Sequence, residues 1–231
     1  MLILAIDTTT RFGSVALVKS GKAVAEVNYV SPSSHSRQLF RAVDEVLRIA
    51  ATRIEDLEGL AVAAGPGSFT GIRIGLSLTK ALAFASGKKI AAISALEALA
   101  RKLLLPGSEL MVPMIDARKG EIFACLFSLT ASGLEELVPA GAYDPRTFLN
   151  LIPPARPISL IGTGCELYRD LIIEKLGSWA NFPGRTYHIA AEVGQLGEKL
   201  LEKGLGLNPE EIQPIYYRKS QAEEKKTGQT E

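Results

Sequence analysis

The same short pattern occurs twice in this chain, and an internal repeat constrains a fold more than any single motif does. Leu2-Ile3-Leu4-Ala5-Ile6-Asp7-Thr8-Thr9-Thr10 is an apolar strand ending in a carboxylate and three hydroxyls. Gly13 opens a second strand through Val18, Lys19-Ser20-Gly21-Lys22 is a turn, and Ala23 to Val30 supplies a third strand. Val112-Pro113-Met114-Ile115-Asp116 repeats the strand and its terminal carboxylate. Gly120 leads into the returning strand Glu121 to Phe127, Ala131-Ser132-Gly133 turns, and Leu134 to Val138 is again a third strand. Downstream, the first half predicts helices over 34–51, from Gly71, and over 95–105, with strands over 60–64 and 89–94. The second half predicts helices over 145–151, 166–176 and 190–203, with a strand over 158–161 and a turn at Gly162-Thr163-Gly164. A meander followed by alternating helices and strands, twice over, predicts two similar α/β lobes facing a cleft. The expected lobes are 1–108 and 109–207, joined at Pro106-Gly107-Ser108, with a C-terminal segment over 208–231 that is disordered from about residue 220.

The least common run of residues lies between a buried strand and an apolar helix: Gly65-Pro66-Gly67-Ser68-Phe69-Thr70-Gly71-Ile72-Arg73-Ile74-Gly75. Gly65 and Gly67 can take backbone geometries closed to other residues, and Ser68 or Thr70 can cap the helix that follows. Strand, glycine turn and helix N-terminus together make either a potential anion site or a plain tight turn. The hairpin lips allow two readings as well. Asp7 with Thr8 and Thr9 can hold a hydrated metal ion and phosphate oxygens, or can be ordinary turn formers.

Composition narrows the function classes. The net charge of +1 gives no global footprint for nucleic acid. No apolar run approaches the length of a membrane span, and the apolar Met1–Ile6 stretch lacks a basic leader and meets Asp7 too soon for a signal peptide. Cys125 and Cys165 form no metal or redox motif and read as two free thiols in a reducing cytosol. Lys225-Lys226, flanked by Glu223-Glu224, belongs to a tail too polar to bury anything.

These motifs carry a resemblance. Ile6-Asp7-Thr8-Thr9 with Gly13-Ser14, the Gly65–Gly75 run, Asp116-Ala117-Arg118 with Gly120-Glu121, Gly162-Thr163-Gly164 and Pro214-Ile215-Tyr216-Tyr217-Arg218 are similar to the TsaB family, also called YeaZ. The resemblance runs from Met1 to about Arg218, and the Gly-Pro-Gly-Ser-Phe-Thr-Gly run is its most specific carrier. It implies the duplicated, two-lobed α/β fold of the actin, hexokinase and Hsp70-like superfamily, which is ribonuclease H-like. It also implies a cytoplasmic accessory role in forming threonylcarbamoyladenosine at position 37 of tRNA. The implied partners are a TsaD-type catalytic subunit and, in a larger complex, a TsaE-type ATPase. Self-association is implied when the chain is alone, with tRNA met only indirectly.

The catalytic sister family carries a metal-binding His-x-x-x-His pair on a helix. Matching the Leu-Glu of both families places Ala95 and Leu99 at those positions, and neither can ligate a metal. The two histidines of the chain, His35 and His188, are far apart in sequence. No metal and no resident cofactor is therefore expected, with weak ATP or ADP binding left open. Asp7, Thr8, Thr9, Gly13, Asp116, Gly120, Gly162 and Gly164 read as the remains of nucleotide-type hairpins. The alternative is a small ATP-dependent phosphotransferase using both hairpins. Against it, Arg118-Lys119 replace the hydroxyls of the first hairpin, and the link from Asp116 to Gly120 is shorter than that from Asp7 to Gly13.

The helix after the glycine loop is apolar nearly all round, apart from Arg73, Ser77 and Lys80. Such a helix is buried on more than its core side. The helix over 36–50 carries two apolar rows, Leu39/Val43/Val46/Ala50 and Phe40/Leu47. Leu39, Val43, Val46, Ile74, Leu78, Ala81, Leu82 and Ala85 are the expected partner interface, with Gly65, Gly67, Ser68, Thr70 and Gly71 setting the start of its second helix.

Overall fold

A computed structural model describes residues 1–31, 35–104, 109–131 and 133–218. In the first half, β1 (Leu2–Asp7), β2 (Phe12–Lys19) and β3 (Lys22–Val30) form the meander, and β4 (Gly59–Gly65) and β5 (Ile90–Ser94) extend the sheet on the far side of β1. The order is β3-β2-β1-β4-β5, antiparallel within the meander and parallel from β1 to β5. In the second half, β6 (Leu110–Arg118), β7 (Glu121–Thr130), β8 (Gly133–Tyr143), β9 (Ile158–Ile161) and β10 (Ala180–Asn181) take the order β10-β9-β6-β7-β8. Read from its other edge, that is the first sheet's order with the same strand directions. The two lobes are duplicates in topology, and the fold is two-lobed α/β.

Why these strands sit where they do follows from their side chains. β1 and β4 are continuous apolar runs, buried on both faces as central strands must be. β3 alternates exposed and covered residues and lies at an edge. β8 continues past Pro139 to Tyr143, beyond the expected end at Val138, because an edge strand tolerates a residue without an N–H where the ladder shifts register.

Helices cover both faces of the first sheet. α1 (Ser36–Ile49) lies over β2 and β3, and α2 (Phe69–Ser86) over β1 and β4. Leu4 and Ile6 of β1 point into that layer, with Leu39 and Val46 of α1 and Ile72 and Leu76 of α2. Ile3 and Ala5 point the other way, toward α3 (Ala95–Arg101) and α7 (Ala190–Glu202). α7 corrects the expected lobe boundary at 207. It packs on the first sheet, with Gly194 against Val18 and Ala5, and Gly197 against Ala61. Sequence order hid this, because α7 follows the second sheet but closes the first one's core. The second lobe carries α4 (Pro145–Asn150), α5 (Thr163–Leu167) and α6 (Arg169–Leu176). The single helix expected over 166–176 starts earlier and is two, broken at Tyr168.

A strap closes the chain. Ile212 is buried in the first lobe, Lys80 Nζ donates to its carbonyl at 2.9 Å, and Ile215 N–H donates to the Ala64 carbonyl at 2.8 Å. Arg218 then reaches the second lobe, pairing with Glu121 at 2.7 Å. The expected joint Pro106-Gly107-Ser108 and the tail from residue 220, including Lys225-Lys226, lie outside the described residues. Among the described residues, no helix is long and apolar enough to cross a membrane.

Candidate functional site

Each hairpin is bonded to a glycine loop of its own lobe. Ser68 N–H donates to the Thr9 carbonyl at 2.7 Å, and Thr8 Oγ1 donates to the Gly71 carbonyl at 2.7 Å. A side chain at Gly67 would strike the Thr9 carbonyl, and one at Gly71 the Thr8 carbonyl. The loop is glycine-rich because it presses onto the end of β1. Ser68 caps α2, accepting from Gly71 N–H at 3.3 Å, so the helix begins at Phe69 rather than Gly71. Gly65 lies under the Ile215 carbonyl of the strap. In the second lobe, Gly162 and Gly164 press against Met114, and Asp116 N–H donates to Thr163 Oγ1 at 3.1 Å. The duplication extends to these loop contacts.

The two carboxylates are not presented alike. Asp7 is fully buried, and its Oδ1 accepts from both the N–H and the hydroxyl of Thr9 at 2.8 and 2.7 Å. Its Oδ2 has no hydrogen-bond partner among the described residues. Burial lifts the carboxyl to about 6 against the pull of the Thr9 hydrogen bonds, with nearby Glu192 adding to the rise. Gly13 lies beneath the Tyr29 ring, on the strand beside Asp7. Asp116 instead reaches the cleft, held by the Arg118 N–H at 2.8 Å and faced by its guanidinium at 3.6 Å. Gly120 sits at φ 81° in open space at the hairpin tip.

Between the lobes is a cleft of about 840 Å³. Thr9, Gly67, Ser68 and Thr70 line one wall, Asp116, Arg118 and Thr163 the other, and Tyr216 to Arg218 of the strap run along it. Asp7 is not among its lining residues. A metal-bound phosphate shared by two hairpins requires two carboxylates offered to one space. Here one is sealed beneath Thr9 and the other is engaged by an arginine, so the residues present do not fit that clamp.

The histidines, distant in sequence, come to the same residue. His188 Nε2 lies 3.2 Å from the Tyr29 carbonyl, and the His35 ring meets the Tyr29 ring edge-on at 5.8 Å. Burial lowers the pKa of both. Among the described residues, no group of three or more His, Cys, Asp or Glu is placed to hold a metal. Ala95 and Leu99 face the apolar core between the lobes. Cys125 and Cys165 are free and buried, and burial pushes both thiols up, away from the reactive thiolate.

The outer face of α1 and α2 differs from the expected one. Leu39, Val43, Val46 and Leu78 pack among the core residues of the first lobe, Leu78 at its rim with 9% exposure. The outward side of α1 carries Arg37, Arg41, Asp44 and Arg48, and that of α2 carries Arg73, Ser77, Ala81 and Phe84. Phe84 is 85% exposed, Phe40 62% and Ile49 53%, with Ala81 and Ala85 exposed and Ile74 and Leu82 half-buried beside them. Of the expected residues, Ala81 and Ala85 are exposed near Phe84, and Ile74 and Leu82 are half-buried at the flank of α2; Phe40 is exposed on α1, while Ile49, nine residues on, points to that helix's other side. The signal of Phe40 and Phe84 was present, since Phe40 starts the second apolar row of α1 and Phe84 stands four residues after Lys80. Gly65, Gly67, Ser68, Thr70 and Gly71 lie at the cleft end of α2, away from this stripe.

A family model described as "TsaD: tRNA N6-adenosine threonylcarbamoyltransferase" matches residues 29–226. The chain is 33% identical over 182 residues to the "tRNA threonylcarbamoyladenosine biosynthesis protein TsaB" of Bacillus subtilis, a match spanning 77% of this chain and 78% of that one. Among solved structures, YeaZ from Pseudomonas aeruginosa is 28% identical with a TM-score of 0.78, over 93% of this chain and 99% of that one. A ROK hexokinase from Thermus thermophilus, 13% identical, has a TM-score of 0.52 over 87% of this chain and 100% of that one, a likeness of fold alone.

Proposed function

Because the chain belongs to the TsaB (YeaZ) family of tRNA threonylcarbamoyladenosine biosynthesis proteins, we propose that it acts there as a non-catalytic subunit. It docks a TsaD-type catalytic subunit through the outer face of α1 and α2, and the partner transfers the threonylcarbamoyl group to adenosine 37. The chain has a part in threonylcarbamoyladenosine biosynthesis by its family membership.

One observation supports it most: exposed Phe84, Ala81 and Ala85 on α2 and exposed Phe40 on α1, two helices that cover neighbouring strands on one face of the first sheet. Single exposed apolar residues are ordinary, but a helix face carrying Phe84, Ala81 and Ala85, with Phe40 exposed on the neighbouring helix, is a surface suited to helix packing. Ala81 and Ala85 let a second helix approach closely, and burying Phe84 contributes about 2–3 kcal/mol. The same face serves self-association when the chain is alone. A TsaE-type ATPase joins the larger complex, tRNA is held by the partner, and the setting is the cytoplasm. The sealed Asp7 and the engaged Asp116 support a subunit without a cofactor of its own, and the phosphotransferase reading is not favoured.

The test is association of the purified chain with its cognate TsaD-type subunit. Phe84→Asp with Phe40→Asp should abolish the complex while circular dichroism and melting stay those of the parent, because both side chains are already in solvent. A complex of unchanged affinity would overturn the assignment of the face.

A further inference from the structure

At its cleft end, the exposed stripe of α2 changes from apolar to cationic. Arg73 lies one turn after Phe69 and one turn before Ser77, in line with Ala81 and Phe84. Its guanidinium carbon sits 3.8 Å from the centroid of the Phe69 ring. Tyr216 of the strap stacks on the same ring with centroids 5.0 Å apart, and Arg73 Nε donates to the Tyr216 hydroxyl at 3.4 Å. The strap is itself fixed on either side, by Ile215 on the Ala64 carbonyl and by Arg218 on Glu121. Arg73 is therefore held in place by an aromatic ring and a phenol, while its remaining N–H donors face solvent and meet no carboxylate among the described residues.

We propose that Arg73 is the polar anchor of the docking face and receives a carboxylate from an Asp or Glu on the packed helices of the TsaD-type partner. This rests on the docking role of α1 and α2 given above. The physical reason is continuity. A partner helix seated on Phe84 and Ala81 runs along the same stripe and removes Arg73 from water, and a desolvated guanidinium needs an anion with matching geometry. A carboxylate accepting two parallel N–H bonds supplies that. Stacking on Phe69 limits the conformations Arg73 loses on binding, so the contact fixes the register of the partner helix along α2. The apolar residues give the face its affinity; Arg73 selects which helix, and at what offset.

The experiment measures dissociation of the full-length chain from the cognate TsaD-type subunit over a series of salt concentrations. Arg73→Gln should speed dissociation more than about tenfold and flatten the salt dependence, as expected when one member of a buried charge pair is lost. Arg73→Lys should recover only part of the loss, because lysine keeps the charge but neither stacks nor forks. Tyr216→Ala, which leaves Arg73 in place without its phenol contact, should fall between. Dissociation of Arg73→Gln within about twofold of the parent, with the same salt slope, overturns the proposal. So does a variant that keeps partner affinity but loses affinity for a short single-stranded RNA, since the arginine would then serve a nucleic acid. Phe84→Asp separates the two claims: if it abolishes the complex while Arg73→Gln does not weaken it, the docking face stands and the anchor fails. If neither variant weakens it, both fail.

Discussion

Replacing Asp7 with asparagine should stabilise the protein, and by an amount that depends on pH. The carboxyl is fully buried, and its Oδ2 is unpaired among the described residues. Burial places its folded pKa at about 6, against 3.8 for the free group. Below the unfolded value both states bind the proton and nothing is lost. As pH rises from about 4 to 6, the unfolded chain ionises while the folded one keeps its proton, so the native state loses stability. At about 1.36 kcal/mol per unit, the full loss is about 3 kcal/mol. The asparagine side chain would carry no such penalty and could still accept the Thr9 hydrogen bonds, each worth about 1 kcal/mol and somewhat weaker to a neutral oxygen. The stability of Asp7→Asn relative to the parent should therefore rise by about 2–2.5 kcal/mol between pH 4 and 7 and level off above. Urea unfolding of both proteins at several pH values reads this directly. A difference that stays flat with pH, or that falls as pH rises, would refute the burial-driven pKa and with it the claim that Asp7 is sealed from the cleft.

Gly71→Ala should cost about 1–3 kcal/mol in thermal melts, because its Cβ meets the Thr8 carbonyl; a loss no larger than that of an exposed helical glycine would mean the loop does not press on β1. Leu78→Glu should unfold the first lobe rather than merely dissociate a complex, since Leu78 sits in its core, and a folded monomer by circular dichroism would return Leu78 to the interface. Cys125 and Cys165 should resist iodoacetamide in the native state and react only after unfolding; rapid native labelling of either would contradict its burial.

Much of the architecture was legible because the repeat is carried by strand ends. An apolar strand closing on Asp and followed by a glycine turn is a local signal, and it located both meanders and both loops. The role of α7 was not legible, since nothing local tells a helix which of two sheets it will cover; its Gly194 and Gly197 match small residues of the first sheet only once the chain is folded. The docking face was half legible. α1 shows two apolar rows, and sequence alone does not say which one turns inward. The longer row, Leu39/Val43/Val46, is the core one, because a row of aliphatic residues at regular spacing fits a sheet better than the interrupted Phe40/Leu47 row. In α2 the apolar positions nearly surround the helix, so the phase was undetermined, and Leu78 proves largely buried. Lys80, a polar position of that helix, turns out to tie down the strap. The pairing of Tyr216 with Phe69 joins residues too distant along the chain for spacing to reveal.

Hydroxyl-radical footprinting of the chain alone and in complex with its TsaD-type partner tests the docking claim most directly, because oxidation reports the exposure of individual side chains. Phe84 and Phe40 are among the most exposed large apolar residues of the free chain, while Trp179, on the second lobe, is exposed as well and serves as the internal reference. Oxidation of Phe84 and Phe40 should fall to a small fraction in the complex while that of Trp179 is unchanged. Protection of Trp179 with Phe84 and Phe40 still fully oxidised would contradict it.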